Sequence, residues 1–326
     1  MTATADTSVI VVSYNTREHT LRCLRDLLTD QPGSVEFDVV VVDNASQDGS
    51  ADAIAAEFPG VRLARLEQNV GWGRAVNRGA ADCESRYLLL LNPDTRPVGD
   101  AIGQLVGFAM SRPGHGIYTG RTLTVDGLDD GHACLGLPTL WSLCCFASGL
   151  STVLKRYQWS NPEGLPRYDR QSVREVPAVS GCFMLVERTL FHAVQGFDPR
   201  YFLYSEDVDL AVRARQVGAR PLAFPGASIV HIGGASSSSE SQRIGILRGK
   251  MTYAHRHWGR RRAQAAGVLL AAGVLLRCVA GTALGAKRSR VAWRAVWRER
   301  RTWIAGYPPV DEPRPRPLQW ATPAGQ

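Results

Sequence analysis

Short apolar runs alternate, early in the chain, with stretches whose apolar residues recur at helical spacing. The runs are continuous rather than alternating, which is typical of strands buried on both faces of a parallel sheet. The predicted strands are Val9–Ser13, Val39–Asp43, Val61–Arg65 and Tyr87–Leu91. The predicted helices cover about Arg17–Thr29, Asp48–Phe58 and Trp72–Cys83, opened by Thr16, Ser46 and Gly71. This order predicts a βαβαβαβ unit.

The segment Asp126–Glu175 has weak periodicity and mixes Gly, Pro, Trp and Tyr, so we predict a long irregular insertion. Long loops inside compact domains usually form lids or binding surfaces. Regular patterns return after it. They predict a strand over Val176–Val186, helices over Glu187–Val194 and Glu206–Val217, and a last strand over Pro221–Ile232 that ends at His231.

The chain has 326 residues, of which 44% are hydrophobic, so it can bury a full core. Its seven cysteines include no CxxC pair, which favours buried reduced thiols over a zinc site or a disulfide framework. The N-terminus has no basic region, and its first apolar run is short. We therefore expect no secretory signal and a cytosolic catalytic part.

Charge is distributed unevenly along the chain. Residues 1–242 contain 21 basic and 27 acidic side chains, whereas residues 243–303 contain 15 and 1. Within the basic segment, Ala263–Ala286 is apolar apart from Arg277 and a few polar positions. This composition predicts amphipathic helices that associate with an anionic membrane surface. The remaining residues, 304–326, are Pro-rich and predicted to be disordered.

The sequence is compatible with several arrangements of this segment at a membrane. A spanning helix would avoid a central Arg277 and basic clusters at both ends, so we favour a helix lying on the surface, or a shallow hairpin. A single span and a soluble helical appendage stay open. Because the segment lacks a recognisable nucleic-acid module, we expect no nucleic acid partner.

Polar residues follow the predicted strands at the edge where open α/β sheets bind ligands. They are Tyr14-Asn15, Asp43-Asn44, Asn69 and Asn92-Pro93-Asp94. No GxGxxG motif follows the first strand, which argues against an ordinary dinucleotide fold. Acidic residues and a histidine also fall at strand or helix ends: Asp43, Asp94, Glu206, Asp207, Asp209 and His231. Such a set can hold a divalent cation and supply a base, which sugar transfer from a nucleotide diphosphate needs.

Several motifs occur in order: VVSYN, VVDNASQDGS, NVGWGRAVNRG, LLLLNPDT, VSGCFMLVERTLF and GFDPRYFLYSEDVDL, followed by His231. Together they resemble the motifs of GT-A family 2 glycosyltransferases, most closely the bacterial rhamnosyltransferase branch, over roughly residues 8–235. The resemblance implies an α/β GT-A (nucleotide-diphospho-sugar transferase) fold, with a mostly parallel sheet flanked by helices. A C-terminal helical membrane-associating segment completes the expected architecture.

The resemblance also implies roles for individual residues. Donor-binding positions are Ser13, Tyr14, Asn15, Asp43, Asn69, Gly71, Arg74, Asn77, Asn92 and Asp94. Asp94 and His231 would hold Mg²⁺ or Mn²⁺, and Asp207, in the Glu206-Asp207 pair, would be the catalytic base. One departure is Asn92, which replaces the first acid of the family's DxD-type element. As a neutral ligand, it would leave the cation weakly bound until the donor diphosphate adds charge.

Acceptor contacts are expected from Trp141, Trp159 and Gly181. Structural explanations stay open for several candidates. Asp43 could cap a turn, Asp207 could stabilise a helix N-terminus, and His231 could be a satisfied core histidine. The two tryptophans could pack on protein rather than stack on a sugar.

The sequence therefore predicts an inverting glycosyltransferase of cell-envelope polysaccharide (cell wall) synthesis, acting peripherally at the cytoplasmic face of the membrane. The resemblance alone implies the donor, dTDP-L-rhamnose, and the expected acceptor is a glycan linked to polyprenyl diphosphate. A UDP-hexose-dependent family 2 enzyme and an inactive sugar-nucleotide-binding scaffold are the alternatives, and a homodimer is left open. The expected domains are a catalytic domain over 1–242, with a nucleotide-sugar half (1–98) and an acceptor half (99–242), membrane-associating helices over 243–303 and the tail 304–326.

Overall fold

The computed structural model of the chain describes residues 6–29, 35–232, 239–283 and 287–310. Its strands are β1 Thr7–Ser13, β2 Phe37–Asp43, β3 Arg62–Arg65, β4 Tyr87–Leu91, β5 Thr95–Pro97, β6 Ile117–Leu123, β7 Cys134–Leu135, β8 Arg174–Glu175, β9 Ala178–Val179, β10 Phe183–Glu187 and β11 Leu222–His231. Its helices are α1 Arg17–Thr29, α2 Ser50–Glu57, α3 Trp72–Ala80, α4 Ala101–Ser111, α5 Leu140–Ala147, α6 Leu150–Val153, α7 Arg188–Ala193, α8 Glu206–Gln216, α9 Ser239–His257, α10 Arg260–Ala283, α11 Lys287–Arg298 and α12 Arg300–Ala305. Most of the predicted disordered tail, from residue 311 onward, lies outside the described residues.

The main sheet has the strand order β3-β2-β1-β4-β10-β6-β11-β5, with β8 beside β11. Strands β1 to β4 are parallel to one another, as the four apolar runs predicted. Strand β10 runs antiparallel between β4 and β6, and β11 returns parallel to β6. Strand β5 pairs antiparallel with β11, so the chain that leaves β4 crosses to the far edge of the sheet.

Helices cover both faces of this sheet, which explains why its central strands are continuously apolar. In β1, Ile10 and Val12 belong to one core, and Val9 and Val11 belong to the other. All four are at most 5% exposed. Side chains of α3, α7 and α8 fill the first core, whereas α1, α2 and α4 fill the second.

The insertion between β6 and β8 is more regular than its sequence predicts. It contains β7, α5, α6 and a 3₁₀ turn over Pro162–Gly164, so the expectation of an irregular segment is wrong for these elements and holds for the residues between them. Helix α5 begins with a capping box, in which Thr139 and Ser142 exchange side chain to backbone hydrogen bonds. Nearly every position of α5 is apolar, so its sequence has no helical period to read.

The C-terminal helices α9 to α12 pack with one another and with α5 around a third core, in which Val296 and Trp303 are fully buried. Helix α10 is continuous over 24 residues, so a hairpin within it is wrong. Arg260–Ala280 is long and apolar enough to cross a membrane by length and composition, and 33% of its most apolar window is buried against protein.

Arg277, the charge within the apolar segment, is bound to the insertion. Its guanidinium stacks over the Phe146 ring at 3.9 Å and donates to the Phe146 carbonyl at 2.8 Å. A second nitrogen donates to the Thr152 hydroxyl at 2.9 Å. These contacts fix the inner face of α10, while its outer face exposes Val268, Ala272, Leu275, Leu276 and Val279.

Candidate functional site

Three carboxylates from distant parts of the chain influence the ionisation of one buried thiol. Burial raises the pKa of Cys182 to about 12, against a hydrogen bond with Ser180 that lowers it. The charges of Asp130, Asp207 and Asp94 add to the rise, so all three lie within electrostatic reach of the sulfur. Asp94 and Asp207 were predicted as site residues, whereas Asp130 was not.

Asp43, at the end of β2, has one carboxylate oxygen that accepts a hydrogen bond and one that accepts none from the described residues. The residue is 3% exposed, and its Oδ2 accepts from the Ser46 backbone amide at 3.0 Å. Among the described residues, none donates to Oδ1. An aspartate that only caps a turn needs one oxygen, so the second oxygen fits the predicted contact with a base imide.

The loop after β1 is tied to the loop after β2. Asn15 has a left-handed backbone with φ of 53°, and its backbone amide donates to Ser46 Oγ at 3.0 Å. Tyr14 is 37% exposed beside it. Ser13 differs from both, because it is fully buried and its hydroxyl bonds with Thr20. Tyr14 and Asn15 therefore form the surface of this loop, and Ser13 supports it from within; donor contact by all three stays a prediction.

Asn69 and Gly71 build the turn that leads into α3. Asn69 Oδ1 accepts from Asn44 Nδ2 at 3.0 Å and from the Gly71 amide at 2.9 Å. Gly71 has φ of 89°, and a β-carbon there would lie 2.4 Å from the Phe202 carbonyl oxygen. Only glycine permits this approach, which joins the predicted donor turn to the turn before α8. Arg74 lies half-buried in the first turn of α3.

The side chain of Asn77, also on α3, forms hydrogen bonds with the backbone of Phe197. Its Nδ2 donates to the Phe197 carbonyl at 2.8 Å, and its Oδ1 accepts from the Phe197 amide at 2.8 Å. The Trp72 ring meets the Phe197 ring edge-on at 5.1 Å. Asn77 therefore braces the backbone before α8, and its predicted donor contact stays a prediction.

Strand pairing brings Asp94 and His231 together. Thr95 in β5 lies opposite His231 in β11, and His231 Nε2 lies 3.5 Å from Asp94 Oδ1. Burial pulls the pKa of Asp94 upward, but the hydrogen bond and charge of His231 outweigh burial and hold that pKa below its usual value. Asn92 lies half-buried two residues before Asp94. The Asp94–His231 pair fits the predicted cation ligands.

A further acid and a further histidine, neither of them predicted as a site residue, lie on the other side of the His231 ring. Asp130 Oδ2 is 2.9 Å from His132 Nδ1 and 3.9 Å from His231 Nδ1. One ligand atom from each of the three lies within 4.8 Å of the others, close enough to share a cation. Burial acts to raise the pKa of Asp130, but hydrogen bonds from His132 and Thr122 outweigh it and lower the pKa to about 2.

Glu206 and Asp207 begin α8. Glu206 is 5% exposed, and none of the described residues donates to its Oε2. Asp207 is half-buried, and its Oδ1 accepts from the Val208 amide at 2.8 Å. Burial raises the pKa of both carboxyl groups, and the charge of Asp207 raises that of Glu206 further. Asp207 is thus the more accessible of the two, with a strengthened affinity for a proton.

Trp141 and Trp159 lie together on the surface of the insertion. The Trp141 ring nitrogen donates to the Trp159 carbonyl at 2.6 Å, and the two residues are 54% and 49% exposed. Gly181 lies under the Trp72 ring, because a β-carbon on Gly181 would lie 2.3 Å from a ring atom. Its backbone amide is near enough to the Asp207 carboxylate to act against the burial that raises the pKa of that group. Gly181 therefore belongs to the surroundings of Asp207, and the tryptophans offer an exposed aromatic surface.

The sequence of the chain is similar to that of known proteins. The profile of glycosyl transferase family 2 matches residues 8–194. The N-acetylglucosaminyl-diphospho-decaprenol L-rhamnosyltransferase of Mycobacterium tuberculosis is 31% identical over 270 residues, covering 77% of this chain and 85% of that protein. Rhamnosyltransferase WbbL of Escherichia coli is 26% identical over 236 residues, covering 68% of this chain and 82% of the relative.

The fold is similar to that of mannosyltransferase PcManGT from Pyrobaculum calidifontis, solved in complex with GDP-Man and Mn²⁺. The TM-score is 0.55 at 18% identity, and the match covers 93% of this chain and 84% of that chain. The chain therefore has the GT-A fold, which confirms the predicted fold class.

Proposed function

The chain belongs to glycosyl transferase family 2 and is a glycosyltransferase, and on that premise we propose that it transfers L-rhamnose from dTDP-rhamnose to a polyprenyl-diphosphate-linked glycan. The lipid-linked acceptor is supported by the mycobacterial relative, whose name specifies N-acetylglucosaminyl-diphospho-decaprenol. Rhamnose is supported by both relatives, which are rhamnosyltransferases. A pyrimidine nucleotide such as dTDP is supported by Asp43, whose Oδ1 can accept from an imide N–H.

The observation that carries the proposal is the half-buried Asp207 carboxylate, whose pKa burial raises. A raised pKa makes a carboxylate a better proton acceptor near neutral pH. Asp207 takes the proton of the acceptor hydroxyl while the hydroxyl oxygen bonds to the anomeric carbon of the donor sugar. The bond from that carbon to the diphosphate oxygen breaks in the same displacement, so the anomeric configuration inverts.

The donor diphosphate lies, in this proposal, between the turn at Asn69–Arg74 and the Asp94–His231 pair. Asp94 and His231 would hold Mg²⁺ or Mn²⁺. Asp130 and His132, on the Nδ1 side of the same ring, would orient the imidazole and add negative charge beside the cation. A bound cation neutralises the charge that the departing diphosphate gains. Asp130 contributes a second carboxylate near His231, which offsets the neutral Asn92 in the DxD-type element.

We further propose that the protein works peripherally at the cytoplasmic face of the membrane, where it meets its lipid-linked acceptor. The exposed apolar face of α10 and the exposed Arg261 and Arg262 at its start support contact with an anionic surface. The homodimer left open by the sequence stays a prediction.

An assay of purified protein with Mg²⁺ or Mn²⁺ and polyprenyl-diphosphate N-acetylglucosamine tests the function. We expect a product one deoxyhexose heavier with dTDP-L-rhamnose, and roughly 100-fold lower kcat/KM with UDP-glucose or UDP-galactose, because pocket contacts discriminate by a few kcal/mol. Mass spectrometry of the lipid product measures both. Transfer from a UDP-hexose alone would replace the rhamnose proposal, and donor binding with no turnover would favour the scaffold alternative.

The variant Asp207→Asn tests the base in the same assay. Asparagine keeps the shape of the side chain but cannot take the proton, so kcat should fall by about 1,000-fold while the donor Kd changes little. Asp169→Asn, at an exposed acid in the insertion, is the matched control and should retain full turnover. Retained turnover in Asp207→Asn would remove this residue from the base role.

A further inference from the structure

The turn before α8 has a backbone conformation that its residues do not favour. Tyr204 and Ser205 have φ of 70° and 71°, although neither is glycine. Left-handed backbone persists at such residues only where the surroundings fix it. Glu206 and Asp207 follow directly. The position of the proposed base therefore depends on whatever holds this turn.

Helix α9, the first of the C-terminal helices, packs directly on that turn. A β-carbon on Gly249 would lie 2.3 Å from the Tyr204 carbonyl oxygen, so the helix backbone itself touches the turn. Gly245, one helical turn earlier, meets the Tyr204 ring in the same way. Tyr307, just beyond α12, donates from its hydroxyl to the Leu203 carbonyl at 2.8 Å. The turn is thus held by residues outside the predicted catalytic domain.

A buried charge network joins the end of α9 to α8. Asp209, two residues beyond Asp207, is fully buried. Its Oδ1 lies 2.7 Å from His257 Nε2 on α9, and its Oδ2 accepts from Arg213 Nε at 2.7 Å. A buried carboxylate is stable only when its oxygens are partnered, so loss of His257 leaves one oxygen of Asp209 without that partner. The His257 contact therefore fixes the first turn of α8 relative to α9.

We infer that α9 belongs functionally to the catalytic domain and that His257 is a positioning residue. His257 holds Asp209, and Asp209 fixes the first turn of α8, which carries the Asp207 carboxylate. The inference rests on the base role proposed for Asp207. The C-terminal helices would then have two roles. Helix α10 offers an apolar face to a membrane, and α9, which precedes it, supports the active site.

Three variants test this role: His257→Phe, His257→Gln and His255→Ala. Phenylalanine removes the hydrogen bond, and we expect kcat for sugar transfer to fall about 10-fold with the donor KM within about 2-fold, since a small misplacement of a catalytic group slows chemistry. Glutamine can donate to the same oxygen and should restore most of kcat. His255 lies two residues away on α9 and contacts the Ile304 carbonyl, so its variant controls for general loosening of the helices.

Hydrogen exchange of peptides covering residues 198–209 gives a readout that needs no substrate. It should rise in His257→Phe, return toward wild type in His257→Gln and stay unchanged in His255→Ala. Unchanged exchange and kcat in a folded His257→Phe, or equal losses in His255→Ala, would overturn the inference. If exchange rises as expected but Asp207→Asn remains active, the support by His257 stands and the base assignment fails.

Discussion

Two neighbouring carboxyl groups at the start of α8 occupy a setting that opposes their ionisation. Glu206 is the more deeply placed, and burial followed by the charge of Asp207 raises its pKa. Asp207, which is more accessible, has its pKa raised by burial alone. Pairs of titratable groups in unequal surroundings are a common source of acid–base chemistry. Asp207, the accessible member of the pair, is for this reason the residue that we propose as the base.

Glu206→Gln should stabilise the fold near neutral pH. The folded pKa of Glu206 lies above the unfolded value of about 4.3, so its ionised form destabilises the protein increasingly as pH rises above that value. A neutral amide removes this penalty, and a gain of ~1 kcal/mol would raise the Tm by roughly 1–3 °C in a chain of this size. Thermal unfolding at pH 7.5 and pH 5 measures the effect, and the gain should be smaller at pH 5. An equal gain at both pH values would show that the charge is not its cause.

At the scale of elements, the loop between β6 and β7 reaches the His231 ring. It supplies Asp130, whose Oδ1 accepts from the Thr122 hydroxyl, while its Oδ2 faces the two histidines. The loop therefore adds a carboxylate to a site that strands β5 and β11 build.

Asp130→Asn should weaken divalent cation binding. Loss of a carboxylate beside a metal-binding histidine typically lowers affinity by about 10- to 100-fold, and titration of Mn²⁺ with nucleoside diphosphate, followed by electron paramagnetic resonance, measures it. Asp126→Asn, at an exposed acid of the same loop, is the control and should bind Mn²⁺ as wild type does. Equal affinities in the two variants would exclude Asp130 from the site.

The parallel strands and their helices were predictable because each carries its own signal. Burial on both faces makes β1, β2 and β4 continuously apolar, and α1 covers the residues that its spacing predicted, Arg17–Thr29. The ligand edge then follows from parallel topology. Asp94 and His231 could be paired in advance only through the family resemblance, since 137 positions separate them and β5–β11 pairing is not visible in the sequence.

Helix α5 and the Asp130–His132 pair gave no comparable signal. The capping box of α5 uses Ser142 where the usual signature has Glu or Gln. Asp130 and His132 lie in a segment without periodicity, and only the fold around β6 and β11 brings them to His231. Asn77 shows a different difficulty. Its motif position implies contact with the donor, but its side-chain amide forms hydrogen bonds with the Phe197 backbone.

At the scale of the whole molecule, the exposed apolar face of α10 is the surface through which we propose that the protein contacts a membrane. Val268, Leu275 and Val279 are 69%, 48% and 61% exposed. Changing all three to Gln should lower partitioning onto vesicles of anionic lipid by at least about 10-fold, because each buried aliphatic side chain contributes on the order of 1 kcal/mol or more. Sedimentation with the vesicles measures the change.

The control for this experiment is the double variant Val98→Gln and Val217→Gln, at exposed apolar residues of the predicted catalytic domain. It removes apolar surface of the same kind elsewhere and should partition as wild type does. If the triple variant at α10 partitions as well as this control, another surface makes the contact.

The packing of α9 on the turn before α8 also decides how this protein should be shortened for production. Removing the chain after residue 242 or 249, to eliminate the apolar helix, would also remove His257, and the first cut would remove Gly249 as well. Such a protein would gain solubility but lose the support under its proposed base, and its inactivity would be misread as a need for lipid. Polar substitutions on the outer face of α10 keep that support, and so separate the two effects.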